Sequence, residues 1–423
     1  MKVSTYRTKI TPEGKFFPCY LMGHAIRTKP ATGILDDLWA TALVLEVDGE
    51  HLVWVTVELI GLTREFTDRI RSAISQKYGA AVDAVTVSFT HTHSAPEYEE
   101  RRDSMIFGEG AVPGYMDWVE QQILSAVGGC FEAGFTEAEL FTNKVTIDGC
   151  YGNRNGKEKP GDPSFVTLEF RSGDSVVAGA FSFACHSTVL GPQNLCVSGD
   201  LAGYAARSLK EKWGVYPVAM IGAAGDMSNR LYRRGNDEAE LRRVGDQMMR
   251  QIFAAGGSGE SLALHRPEIR TFRYRETFYP DPAEKRRQYD SIRDKVEHAK
   301  TFDERKVYSS ALRIAEIGLK SSGPFDFDLE CRYVNLGDLR LFLMPAELFA
   351  RFGLQIKDAM GGRCPVCWCY SNYSAGYLAD REDYGKSFET SASDIPAGTT
   401  EKIVEKAIAF IQNEHQQSGG ALQ

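Results

Sequence analysis

Residues 52–90 predict a β-strand, an α-helix and a second β-strand in immediate succession, and this unit limits the folds open to the chain. Residues 52–59 are mostly apolar, and in residues 84–90 apolar side chains alternate with Thr and Ser, as in a half-buried strand. Between them Thr63 is the predicted N-cap of a helix over 66–77 whose apolar residues recur at helical spacing. Two strands joined by one helix pair in parallel. We therefore predict an α/β (α+β) fold in which mixed β-sheets are flanked by helices.

Two histidines follow the second strand of this unit. If the alternation continues, His91 and His93 share the face of the strand's valines, and Pro96 then ends the pairing. Ligands of parallel sheets bind beyond the carboxyl ends of the strands, which is where both imidazoles lie. A His-x-His pair is either a structural, hydrogen-bonded pair or part of a metal or catalytic site.

Composition and charge exclude several classes of protein. The 423 residues carry a formal net charge of −8 without a Lys/Arg block, so we predict no nucleic-acid partner and no electrostatic attachment to lipid. No apolar run reaches the ~18 residues of a membrane span, and the N-terminus lacks the apolar core of a signal peptide. Most of the nine cysteines lie in apolar runs, which is typical of reduced thiols. We expect a cytoplasmic protein without an integral membrane segment, of undetermined oligomeric state.

Polar residues that can bind a metal or take part in catalysis recur at the ends of predicted apolar strands. They are His91, His93, His186, Asp226 with Ser228, Glu347 and Tyr377. A site assembled from several strand ends has this pattern. Two or three histidines with one carboxylate, leaving a position open, form the ligand set of catalytic zinc. Each residue also has an ordinary structural explanation, and spacing alone does not show that they converge.

Six motifs, in the same order, resemble those of the neutral/alkaline (non-lysosomal) ceramidases, zinc-dependent amidases that cleave the N-acyl bond of ceramide. The most specific is Thr-His-Thr-His-Ser-Ala-Pro at 90–96, which is similar to the family's Thr-His-Thr-His-Ser-Gly-Pro. The other five are Gly152-Asn153-Arg154, Cys185-His186-Ser187-Thr188 with the segment 198–204, Gly225-Asp226-Met227-Ser228-Asn229, Pro345-Ala346-Glu347 and the segment 372–377. The resemblance runs from about Tyr6 to Ile411 and corresponds to the family's N-terminal catalytic domain.

The resemblance implies a zinc cofactor and the hydrolysis of a linear amide. The implied zinc ligands are His91, His186, Glu347 and Tyr377. Asp200 and Asp226 are candidates for hydrogen-bond partners of these ligands, although a helix cap and a turn residue explain them equally well.

The resemblance also implies the catalytic groups. It places Ser228 at the family's nucleophile position, with His93 and Arg154 around the scissile carbonyl. His93, beside the metal without binding it, is the predicted general acid or base, and Arg154 can hold the oxyanion. If the Tyr377 hydroxyl moved away from the metal as charge develops, it would reach the same oxyanion. We favour metal-activated water as the attacking group, because Ser228 has no evident His/Asp relay and can instead orient that water or the carbonyl.

The predicted domain organisation supports the type of reaction more strongly than it identifies the substrate. We predict one catalytic domain over 1–415, a charged helical hairpin inserted at 283–320 and a disordered tail at 416–423. Secreted family members carry a signal peptide and a C-terminal β-sandwich domain, and we expect neither here. The hairpin is a poor lipid-facing element. The substrate is a small N-acyl amide, either ceramide-like, which implies sphingolipid metabolism, or a smaller polar cytosolic amide or ester.

Two other classes of protein compete with this interpretation. Amidohydrolase barrels also begin with His-x-His at a strand end, but after His186 the chain offers only His265, His298 and His415, too few for their ligand set. A non-catalytic ligand-binding relative would keep the fold and lose the chemistry. Retention of every motif residue argues against it.

Overall fold

The structure is a computed structural model, and it describes residues 1–98, 111–255, 257, 259–320, 323–391 and 393–420. In this part of the chain the α-helices are α1 (Arg64–Tyr78), α2 (Tyr115–Ala133), α3 (Asp200–Trp213), α4 (Glu238–Ala254), α5 (Pro282–Glu297), α6 (Phe302–Lys320), α7 (Ala350–Met360) and α8 (Thr399–Gly420). Short 3₁₀ turns lie at Gly14–Phe16, Val82–Ala84, Arg381–Asp383 and Phe388–Thr390.

The strands of the described residues are numbered in chain order. They are β1 (Lys2–Lys9), β2 (Gly33–Ile34), β3 (Trp39–Val47), β4 (Glu50–Val57), β5 (Val85–Phe89), β6 (Thr136–Glu137), β7 (Glu139–Thr146), β8 (Gly152–Asn153), β9 (Ser164–Ser172), β10 (Ser175–Phe183), β11 (Cys196–Val197), β12 (Val218–Ile221), β13 (Met227–Ser228), β14 (Glu260–Leu262), β15 (Leu264–Phe278), β16 (Phe325–Gly337), β17 (Leu339–Met344), β18 (Glu347–Leu348), β19 (Cys364–Cys369) and β20 (Tyr377–Leu378).

Three larger sheets form the scaffold. Their strand orders are β5-β4-β3-β1-β6, β12-β10-β9-β7-β14 and β15-β16-β17-β19. Each combines antiparallel ladders with one parallel pair, namely β4 with β5, β10 with β12, and β17 with β19. The predicted β-α-β unit is confirmed, because α1 connects β4 to β5 and Val53 pairs with Val85 in parallel. Thr63 caps α1 as predicted, its side chain accepting from the amide of Phe66. The predicted α/β fold of mixed sheets and flanking helices is confirmed.

The three sheets are held side by side by buried contacts. Trp54 of β4 meets Trp368 of β19 edge to face, with ring centroids 6.0 Å apart. Thr56 Oγ1 of β4 donates a 2.8 Å hydrogen bond to the carbonyl oxygen of Ala219 in β12. Aromatic pairs of this kind contribute beyond their buried area, and the buried hydroxyl is satisfied by the neighbouring sheet. These contacts bring β4, β12 and β19 together, and each belongs to one of the three parallel pairs.

The loops that leave the ends of the parallel strands contain most of the residues at which the sequence predicts chemistry, and Arg154, which follows β8, is the exception. Residues 90–93 follow β5, His186 follows β10, residues 224–228 follow β12, Glu347 follows β17 and Tyr377 lies beyond β19. Backbone hydrogen bonds join the loops to one another, including His93 N to Ser187 O at 3.3 Å and Glu347 N to Gly376 O at 2.9 Å. The site is thus built by loops on a scaffold of three sheets.

The predicted helical hairpin at 283–320 corresponds to α5 and α6. Thr301 and Glu304 form the capping box expected at the start of α6, since each backbone amide donates to the other's side chain at 3.1 Å. The predicted disordered tail is helical through Gly420 as part of α8, because no Gly or Pro interrupts residues 401–417; residues 421–423 lie outside the described residues. Within the described residues, no helix combines the length and apolarity of a membrane span.

Candidate active site

His91 reaches the site from a turn and not from the strand. β5 ends at Phe89, and His91 has a φ of 59°, in the left-handed region that non-glycine residues rarely adopt. Two hydrogen bonds hold this conformation: its amide donates to Leu59 O at 3.0 Å, and its Nδ1–H donates to Ile60 O at 2.7 Å. The predicted continuation of the strand pleat is therefore wrong, although the predicted residue lies in the site. Backbone strain of this kind is concentrated at functional positions.

His186 is fixed in the same way by the loop after β12. Its amide donates to Met227 O at 3.0 Å, and its Nδ1–H donates to Ala224 O at 2.6 Å. Its Nε2 then lies 3.1 Å from Oε2 of Glu347. The same carboxylate oxygen lies 3.4 Å from Nε2 of His91, so the two imidazoles and the carboxylate meet at one point.

Glu347 is placed by a two-residue parallel ladder. β18 pairs with β20 so that Glu347 is directly opposite Tyr377. The carboxyl group is buried, which opposes its ionisation, but the fields of His91 and His186 outweigh burial and lower its pKa to about 2. Glu347 is therefore a carboxylate throughout the physiological pH range.

This donor set fits a metal ion. The ligand nitrogens of His91, His93 and His186 lie within 4.8 Å of one another. In His91 and His186 the Nδ1 proton is donated to a backbone carbonyl, so Nε2 of the neutral ring presents a lone pair. Both Nε2 atoms lie within 3.4 Å of the Glu347 carboxylate, to which a protonated ring would donate. When both rings are neutral, the buried group consists of acceptors alone and is stable if a cation lies among them. Neutral imidazoles with one carboxylate are ligands that Zn²⁺ accepts.

His93 differs from the other two histidines in the hydrogen bonding of its Nδ1 atom. Its Nε2 lies 3.3 Å from Nε2 of His91, which keeps it at the centre of the site. Its Nδ1 is buried and has no hydrogen-bond partner among the described residues, whereas metal-binding histidines almost always donate from that nitrogen. Gly23 packs so closely that a Cβ there would collide with the His93 ring. Burial, reinforced by the other histidines, lowers the His93 pKa well below its ordinary value.

Arg154 enters the site from the loop after β8. Its Nε donates to Oε1 of Glu389 at 2.6 Å, and one Nη donates to Gly225 O at 2.7 Å and to the Tyr377 hydroxyl at 3.2 Å. Burial, the largest single influence, opposes the charge, but Glu389, Tyr377 and Glu347 together outweigh it and raise the Arg154 pKa above its ordinary value. Burial raises the pKa of Tyr377, and the neighbouring Glu347 adds to that rise. The structure thus places Arg154 and Tyr377 together beside the carboxylate.

In the described part of the chain, the Ser228 side chain makes no hydrogen bond to these groups. It is buried in β13, opposite Gly152 of β8, and its Oγ accepts a 3.1 Å hydrogen bond from the amide of Arg230. Among the hydrogen bonds of the described residues, no histidine or carboxylate contacts this hydroxyl. The geometry therefore supplies no base that would activate Ser228 directly.

Asp226 and Asp200, the candidates for hydrogen-bond partners of the metal ligands, bind the loops of the site instead. The Asp226 carboxylate accepts from Asn153 Nδ2 at 2.6 Å and from the amide of Ala350 at 2.7 Å, which ties the Arg154 loop to the segment after Glu347. The Asp200 carboxylate accepts three backbone amides, two of them in the loop that follows His186. Burial raises the pKa of each to about 6. Neither hydrogen-bonds a histidine ring among the described residues, so they hold the site's loops in place.

A cavity of about 80 Å³ opens onto these groups. Its wall consists of Met22, Gly23, His24, Ile60, His91, His93, Arg154, Thr188, Arg230, Lys306, Val307, Ser310, Glu347, Tyr377 and Phe388. Lys306, Val307 and Ser310 belong to α6, so the charged hairpin covers the site.

Sequence reasoning missed several residues of this site. Glu389 pairs with Arg154, His24 packs on His93 with ring centroids 5.2 Å apart, and Arg230 and Lys306 line the cavity. None of these four residues lies in a recognisable motif at the end of a predicted strand. The sequence offered one indication, namely that Arg230 is two positions from Ser228. The histidines required by the amidohydrolase alternative do not join the site: His265 and His298 are exposed, and His415 contacts Tyr333.

Glu389→Gln is expected to lower the free energy of unfolding by about 3–5 kcal/mol, because it leaves the Arg154 guanidinium buried without its counter-charge. Denaturant unfolding of the two proteins measures the difference. Glu382→Gln, at an exposed position in the same segment, is the matched control and should change stability little. A Glu389→Gln protein as stable as the control would contradict the assignment of this pair.

Comparison with known proteins was consistent with these motifs. Residues 7–220, about half of the chain, match the family described as neutral/alkaline non-lysosomal ceramidase, N-terminal. The chain belongs to this family. Among curated relatives, the neutral ceramidase of Drosophila pseudoobscura pseudoobscura is 26% identical over 234 residues, which are 50% of this chain and 32% of that protein. The neutral ceramidase of Oryza sativa subsp. japonica is 24% identical over 213 residues, 45% of this chain and 26% of that protein. The match therefore spans a third or less of these relatives' length.

Solved structures of ceramidases share the fold. The neutral ceramidase of Pseudomonas aeruginosa superposes with a TM-score of 0.76 at 18% identity, covering 98% of this chain and 74% of that one. A structure described as ceramidase complexed with C2 superposes with a TM-score of 0.75 at 19% identity, covering 98% and 75%. The predicted family and fold are confirmed, whereas the roles of individual site residues stay predictions.

Proposed function

We propose that this chain is a zinc-dependent hydrolase of an N-acyl amide bond, as in the ceramidases. The observation that carries the proposal is the buried meeting point of His91, His186 and Glu347, with His93 and Arg154 at its edge. Family membership supports the amide as the bond that is cleaved. A bound Zn²⁺ would lower the pKa of a water molecule to about 7 and polarise the carbonyl.

The residues around the proposed zinc position have separate tasks in this proposal. His91, His186, Glu347 and Tyr377 are the proposed ligands. Arg154 binds the oxygen of the scissile carbonyl, because its guanidinium is permanently charged and held by Glu389. His93 accepts a proton from the attacking group and delivers it to the leaving amine. Its second nitrogen has no carbonyl partner among the described residues, which suits a group that exchanges protons better than a ligand.

Ser228 is proposed to orient the substrate and not to attack it. Its hydroxyl accepts from a backbone amide and contacts no base among the described residues. If Ser228 were the nucleophile, as the family resemblance implies, a stalled acyl-enzyme on that hydroxyl would be detectable by mass spectrometry. The same experiment on Ser228→Ala is the control.

The test of the proposal is a hydrolysis screen of short- and long-chain N-acyl compounds, combined with metal analysis of the same sample. We expect stoichiometric zinc, hydrolysis that a chelator abolishes, and recovery on addition of Zn²⁺. Hydrolysis that is unaffected by complete removal of metal would overturn the zinc mechanism. Absence of any amide hydrolysis by the zinc-loaded protein would overturn the proposed activity.

A smaller, more polar substrate is a second candidate, favoured by the cavity. Its volume of about 80 Å³ is far below the space that a long acyl chain needs, and α6 closes it on one side. In the same screen, faster turnover of short-chain amides or esters would favour this candidate. Faster turnover of long-chain ceramides would favour a ceramide substrate admitted by movement of the hairpin.

A further inference from the structure

The cavity contains two basic side chains, Arg230 and Lys306, that the proposed reaction does not use. Arg154, Arg230 and Lys306 line it, and Glu347 is the carboxylate in its wall. Arg154 already pairs with Glu389 at 2.6 Å. Within the described part of the chain, no carboxylate forms an ion pair with the side chain of Arg230 or Lys306. In the described residues, the carboxylates that act on these two side chains, Asp303 on Lys306 and Glu389 on Arg230, are already paired with Arg233 and Arg154. Neither Arg230 nor Lys306 therefore has a carboxylate of its own there.

Lys306 comes from the hairpin and lies in a positive environment. Burial, together with the fields of Arg233 and Arg230, lowers its pKa to about 7. Arg233 itself is held by Asp303 of α6 at 2.7 Å. Asp303 favours the charged lysine, but burial and the two arginines outweigh it.

Arg230 lines the same cavity and lies two residues after Ser228. Burial and the neighbouring Arg154 and Arg233 lower its pKa to about 10, although Glu389 opposes this. A partly buried cation without a partner is costly, and a bound anion would remove that cost through charge-assisted hydrogen bonds. A neutral amide offers these two side chains only neutral acceptors.

We propose that the substrate is an anionic N-acyl amide whose carboxylate is recognised by Arg230 and Lys306. This inference rests on the proposed function, since it names the substrate class of the same site. It gives the hairpin a role, because α6 contributes Lys306 to the wall of the cavity. The hairpin is anchored for this task, because Lys285 of α5 contacts Asp394 at 3.0 Å and Arg233 contacts Asp303 of α6.

The test compares probes that differ in one charge. N-hexanoylglycine and N-hexanoylglycinamide carry a carboxylate or a neutral carboxamide on the amine side of the scissile bond. N-hexylglutaramate and its terminal carboxamide make the same comparison on the acyl side. Dissociation constants are measured by calorimetry on zinc-loaded His93→Ala protein, so that turnover does not interfere, and kcat/KM is measured on the wild type.

We expect the carboxylate to bind about 10- to 100-fold more tightly than its carboxamide on one of the two sides, the ratio that charged hydrogen bonds provide. Lys306→Gln, and independently Arg230→Gln, should reduce that ratio by about tenfold, and Lys306→Arg should restore it. Arg305→Gln removes the same charge from the exposed neighbouring position and should leave the ratio unchanged.

Equal affinities for carboxylate and carboxamide on both sides would overturn the inference, whether or not the amides are hydrolysed. A carboxylate preference that Lys306→Gln and Arg230→Gln leave intact would also overturn it. Preferential binding of the carboxylate without hydrolysis in the wild type would support the anion site and overturn the proposed function alone.

Discussion

His186→Ala is expected to abolish both metal binding and hydrolysis. The ring supplies an Nε2 lone pair 3.1 Å from the Glu347 carboxylate, and its Nδ1–H is donated to Ala224, so its ligand nitrogen is preset. Removing it leaves three of the four proposed ligands, His91, Glu347 and Tyr377, with a single imidazole among them, and these no longer enclose the ion. Metal content by elemental analysis and amide hydrolysis with excess Zn²⁺ measure the two losses.

A control variant distinguishes the effect of losing a metal ligand from the general effect of replacing a histidine. His265→Ala removes an exposed imidazole on β15 and should keep full metal content and activity. Both variants should be compared by thermal unfolding with and without Zn²⁺, because a ligand that binds only the folded state stabilises it. Stoichiometric zinc in a folded His186→Ala protein would contradict the ligand assignment.

His93→Ala is expected to lower turnover by about 10²–10⁴-fold, the usual contribution of a general acid or base, while the metal is retained. The reason is the asymmetry among the three histidines: the Nδ1 atoms of His91 and His186 donate to carbonyl oxygens, and that of His93 has no such partner among the described residues. Single-turnover hydrolysis and metal analysis of the same sample measure both quantities.

The outcome distinguishes three roles for His93. Loss of metal together with turnover would make it a ligand and give the site three imidazoles, which the 3.3 Å separation from His91 permits geometrically. Unchanged turnover would make it structural. Only lost turnover with retained metal agrees with the proposed proton transfer.

Much of the scaffold could be predicted because it depends on local patterns. The strand at 85–89, the cap at Thr63 and the capping box at Thr301 are each encoded in a few neighbouring residues, and each is found in the structure. The alternation in this strand predicted one solvent-facing side, which is wrong, because β5 is buried on both faces. The predicted family was also recoverable, because its motifs are short and contiguous.

The parts that could not be predicted depend on contacts between distant segments. His91 is positioned by a left-handed turn bonded to residues 59 and 60, and not by the strand pleat. Glu389 lies 235 positions from Arg154 along the chain, in a 3₁₀ turn without a motif. Periodicity reports which face of an element is buried, and it carries no information on which remote loop lies opposite.

The hairpin illustrates the same division. Its two helices and the turn between them followed from charge and apolar spacing, but its place over the site did not. The sequence by itself determined the α/β scaffold, the family and the residue types capable of binding zinc. The tertiary structure decided that the strand ends of three sheets converge, which nitrogens face the carboxylate, and that a lysine from the hairpin shares the cavity, because these depend on long-range packing of loops that local pattern does not encode.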